Sequence, residues 1–77
     1  MQVKKEQYLI SLHTLTVEMV HRLRAERDSD RVTVYAGQFV TVNGQQEYTP
    51  RRRIFALLLD TLYDEQKRIE AELRKED

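Results

Sequence analysis

The chain has 77 residues, which makes one domain spanning 1–77. It contains no cysteine, which excludes disulfides and thiolate zinc sites as sources of stability. Thirteen basic and thirteen acidic residues cancel, so no global field draws the protein to nucleic acid or to an anionic membrane.

From about Lys4 to Arg27 apolar residues recur three and four apart. Leu9, Leu12, Thr16, Met19 and Leu23 form a stripe, widened by Tyr8, Leu15 and Val20. This spacing winds onto one face of an α-helix, and no Gly or Pro interrupts it. Asp28-Ser29-Asp30 ends the segment, because these side chains compete for backbone hydrogen bonds and favour turns.

The middle segment is β-branched and aromatic, with Val32-Thr33-Val34-Tyr35 and Phe39-Val40-Thr41-Val42 reading as strands. Gly37-Gln38 can turn the chain between them. Asn43-Gly44 is a strong hairpin signal, since both residues tolerate the positive φ of a type I′ turn. Gln45 to Tyr48 can return as a further strand. A three-strand meander, or two strands and a loop, satisfies this pattern.

Thr49-Pro50 opens the last segment, with threonine as a cap and proline at the first helical position. Ile54, Leu58, Leu62 and Ile69 follow helical spacing, flanked by Phe55, Leu59 and Leu73. Past Asp64, the pairs Glu65–Arg68, Arg68–Glu72 and Glu70–Arg74 support the helix to within a few residues of Asp77. The expected fold is α+β: a long helix, a small antiparallel hairpin or meander, and a long helix, with both helices packed on one face of the sheet.

The last helix would be about 39 Å long, whereas a compact chain of this length has a diameter of about 30 Å. Its far end must therefore overhang or be covered. A homodimer whose interface includes Leu62, Ile69 and Leu73 is the expected cover; a frayed, charged terminus is the alternative.

Chemistry-bearing constellations are sparse. Glu18 and His21 share a helix face, but a carboxylate-bridged metal site needs a second such pair, and His13 brings none. A solvated Glu–His–Arg face is the simpler reading, so no metal or cofactor is expected. Ser11 and Ser29 lie in no elbow or triad context, and two glycines supply no phosphate-cradling loop. An enzyme is not expected.

Arg51-Arg52-Arg53 is the one concentrated charge, and it falls in a first helical turn, where the macrodipole disfavours cations. An anionic partner would explain it, with Arg24 and Arg27 at the end of the first helix as further contacts. Pairing with Asp28, Asp30 or Glu47, within the domain or across a dimer, is the simpler explanation. Tyr35, Phe39 and Tyr48 offer stacking faces for bases or, more simply, pack under helices. These residues predict a small non-enzymatic interaction or regulatory protein, homodimeric, that binds a protein partner. The alternative is a nucleic-acid-binding regulator using the arginines. The longest apolar runs, such as that from Phe55 to Leu59, are too short to span a bilayer, and the first residues lack a signal-peptide core. A cytoplasmic location and no membrane partner are the corresponding expectations.

Overall fold

A computed structural model describes residues 3–75. Helix α1 (Val3–Ser29) is followed by a short helix α2 (Arg31–Ala36), strands β1 (Phe39–Val42) and β2 (Gln45–Tyr48), and helix α3 (Pro50–Arg74). The order is the expected one of long helix, antiparallel hairpin and long helix. The hairpin has two strands, with Phe39 opposite Tyr48 and Val42 opposite Gln45.

The strand expected over Val32–Tyr35 is instead helical. Asp30 sets this locally. It breaks α1, and its carboxylate accepts the Val32 backbone N–H at 3.2 Å and the Thr33 hydroxyl. An N-cap satisfied twice nucleates the turn and outweighs the weak β-preference of two valines.

Asn43 (φ 50°) and Gly44 (φ 78°) close the hairpin in the left-handed region, as the Asn-Gly signal requires. At the start of α3, Pro50 occupies the first turn, and the Thr49 carbonyl accepts the Arg53 N–H at 2.9 Å. The Thr49 side chain, expected as a cap, makes no cap hydrogen bond; its hydroxyl is buried without a partner among the described residues.

The helices do not sit on the sheet as expected. α1 and α3 pack against each other, and the hairpin projects from their joined end with every strand residue exposed. Two sets of residues seven apart build the α1 side of the contact: Leu9, Thr16 and Leu23, then His13, Val20 and Arg27. On α3 they are Arg52, Leu59, Gln66 and Leu73, then Phe55, Leu62 and Ile69; all are buried or half-buried. A seven-residue repeat is the pattern of two helices meeting along a narrow line. Thr16 is tolerated in that line because its hydroxyl bonds the Leu12 and His13 carbonyls of its own helix.

This pairing corrects the overhang expected for the last helix. α1 has 27 residues against 25 in α3, so each covers the other along nearly its whole length. Ile69 is 2% exposed and packed within its own chain, while Leu62 and Leu73 are half-buried. Met19 and Ile54, placed in the predicted stripes, face outward. The result is a long, thin body measuring 52 × 25 × 12 Å with a radius of gyration of 17.0 Å. A compact chain of this length would have a radius of gyration of about 11.5 Å.

Candidate functional site

The joined end of the helices carries the most chemically varied surface. Asp30 is its hub. Beyond capping α2, it lies 3.8 Å from the Arg51 guanidinium. The Thr33 hydroxyl, then the backbone of the same residue and the Arg51 charge, hold the Asp30 carboxyl below its ordinary value of 3.8. Arg51 itself is largely exposed.

The three consecutive arginines point to different surroundings. Arg52 turns inward, its guanidinium 5.9 Å from the Tyr48 ring centre and its Nε buried. Tyr48 in turn stacks on Phe39, with centroids 5.0 Å apart and planes 23° from parallel. Arg53 is exposed and makes no ion pair among the described residues. Arg27 is held by Asp28 at 3.2 Å, and Arg24 lines a groove with Val17, Val20 and His21 on a different flank of α1. The five arginines expected to form one binding surface are therefore distributed: Arg51 and Arg53 open at the tip, Arg52 and Arg27 engaged within the chain, Arg24 elsewhere.

Around Arg51 the surface is apolar. Val32, Ala36, Val40 and Pro50 line a groove of about 320 Å³ with Arg51 on it. A second groove of about 290 Å³ is bounded by Pro50, Arg51, Ile54 and Phe55, so the two share Pro50 and Arg51. Beside them α2 exposes Val34 and Tyr35, the latter to 88%. Sequence reasoning missed α2 as part of the site because its valines read as strand. Asp30 three residues before Thr33 was the signal that could have located the helix start.

Glu18 and His21 are both exposed on α1, and no group of three or more His, Asp or Glu side chains able to hold a metal occurs among the described residues. His13 instead reaches across to α3, 3.1 Å from Glu70. No described helix is long and apolar enough to cross a membrane.

The chain matches no protein-family model, no curated protein and no solved structure at a significant level. The fold and the tip surface are thus the whole basis for a functional reading.

Proposed function

We propose that this protein acts by binding, as a small non-enzymatic interaction protein. Its tip, formed by α2, the hairpin and the first turn of α3, takes an acidic, partly apolar segment of a protein partner. The observation that carries this reading is the apolar groove of Val32, Ala36, Val40 and Pro50 with the exposed Arg51 on it, at an end of the molecule that also exposes Val34, Tyr35 and Arg53. Aromatic anchors beside arginines are the combination enriched at protein interfaces. Residues 22–53 contain seven basic and four acidic residues, a local net charge of +3 in a chain whose total is zero. That excess suits a carboxylate-bearing partner.

The test compares affinity capture by the wild type with capture by Tyr35→Ala/Arg53→Gln, both checked for equal helicity by circular dichroism. A protein retained by the wild type and lost by the variant supports the reading. Equal retention removes the tip as the binding surface. Titration onto random duplex DNA runs in parallel: tight binding with a steep salt dependence overturns the protein-partner reading in favour of nucleic acid.

A further inference from the structure

The body is 12 Å thick, the depth of one helix, and 52 Å long. Stable domains stack at least two layers so that each apolar face meets another. Here the second layer is missing on one side. Where the helices meet, only a narrow line of each is covered, yet both carry apolar residues well beyond it. On α1, Tyr8, Leu15 and Met19 are 65%, 58% and 46% exposed; on α3, Ile54 and Leu58 are 55% and 46% exposed.

These residues share a face. At 100° per residue, Tyr8, Leu15 and Met19 lie on the flank of α1 bordered by the half-buried Leu12 and Leu23. Ile54 and Leu58 lie on the flank of α3 bordered by Leu62. In an antiparallel pair these two flanks turn to the same side. The cross-helix contacts agree, since Lys5–Glu72 bridges the helices on that side and His13–Glu70 on the other. The opposite side exposes three such apolar residues, Ile10, Val17 and Tyr63, set among His13, His21, Asp60, Lys67 and Glu70.

We infer that the apolar face of Tyr8, Leu15, Met19, Ile54 and Leu58 is covered by a second copy of this chain, packed antiparallel, so that two helical hairpins form a four-helix bundle with a tip at each end. Two helices about 40 Å long and about 10 Å apart present a face of roughly 800 Å², which is what a stable interface needs from each partner. Charge fixes the direction. Residues 22–53, at the tip half, carry a net +3, and the other described residues, with six basic and seven acidic, carry −1. Tips at the same end would set positive against positive; tips at opposite ends set each half against its complement. Leu15 lies 12 residues from the start of α1 and 14 from its end. It is therefore near the dyad and meets its own copy, as a two-fold interface requires.

The inference rests on the reading of the protein as one that works by binding, but its test needs no partner, so the two can fail separately. Light scattering on a size-exclusion column at tens of micromolar should give twice the 9.2 kDa chain mass. A monomer overturns the inference. Leu15→Glu/Leu58→Glu should give a monomer, whereas Ile10→Gln/Val17→Gln on the opposite side should leave the dimer intact. A dimer that survives the first pair, or is lost with the second, places the contact elsewhere. Should the charged pair unfold, single cysteines introduced into this cysteine-free chain decide. Leu15→Cys should oxidise to a disulfide-linked dimer, and Glu26→Cys, near the tip on the same flank, should not. A cross-link at Glu26→Cys overturns the antiparallel arrangement, and none at Leu15→Cys overturns the face.

Discussion

Asp30 carries more of the local structure than any other charged side chain at the tip. Its carboxylate caps α2, binds the Thr33 hydroxyl and faces Arg51, all of which favour the ionised form. A carboxyl held below its ordinary value stabilises the fold above that value and loses the contribution as pH falls through its lowered, folded-state value. The ordinary value is 3.8. Asp30→Asn keeps a capping oxygen and removes the charge, so it isolates the ionic part. At neutral pH the variant should melt below the wild type. The gap should narrow once pH drops below 3.8 and close in stronger acid, as thermal melts followed by circular dichroism across pH would show. Glu72, also held below its ordinary value by Lys75 and then Lys5, titrates in both proteins and cancels in the difference. A gap that does not change with pH would mean that Asp30 acts through shape alone.

At the scale of elements, the signals that reached the sequence were those with a strict backbone requirement. Asn43-Gly44 demanded positive φ and Pro50 a first helical turn, and both elements stand where those residues put them. α2 was illegible because propensity spoke for a strand while a single side chain, Asp30, spoke for a helix. Which residues line the contact was also hidden. The predicted stripe on α1 was wide, and its width mixed residues that face α3, such as Val20, with residues that do not, such as Met19. The arginines are spread for a related reason: consecutive residues on a helix diverge by 100°, so Arg51, Arg52 and Arg53 meet different surroundings. Gly37 shows a requirement stricter than that of the hairpin turn. It ends α2 with φ 81° and ψ 176°, a region that only glycine enters readily, whereas Gly44 lies in a left-handed region open to asparagine. Neither position has an atom within 4 Å of an added Cβ, so the cost of substitution is backbone strain alone. Gly37→Ala should cost about 1–3 kcal/mol and Gly44→Asn well under that, as read from denaturant midpoints. Equal midpoints would show that α2 and the hairpin are not rigidly joined.

For the whole molecule the question is how so thin a body stays folded. The buried apolar side chains are Leu9, Val20, Leu59 and Ile69, and none of the described side chains is fully buried. Complete burial of such a side chain contributes about 1.5–3 kcal/mol, so four of them, set against the entropy of ordering more than seventy residues, leave a single layer with little net stability. If the apolar face is covered by a second copy, folding and association are one process, and stability depends on concentration. A tenfold dilution then weakens the assembly by about 1.4 kcal/mol, shared between two chains. Each kcal/mol moves the melting temperature of a domain this size by roughly 4–8 °C, so dilution should lower it by a few degrees per decade. Leu15→Glu/Leu58→Glu should melt lower and at a temperature indifferent to dilution. A wild-type melting temperature that stays constant over two decades of concentration would mean that the single layer is stable by itself. The long line of contact between α1 and α3, with Thr16 and Gln66 inside it, would then have to supply more stability than its burial accounts for.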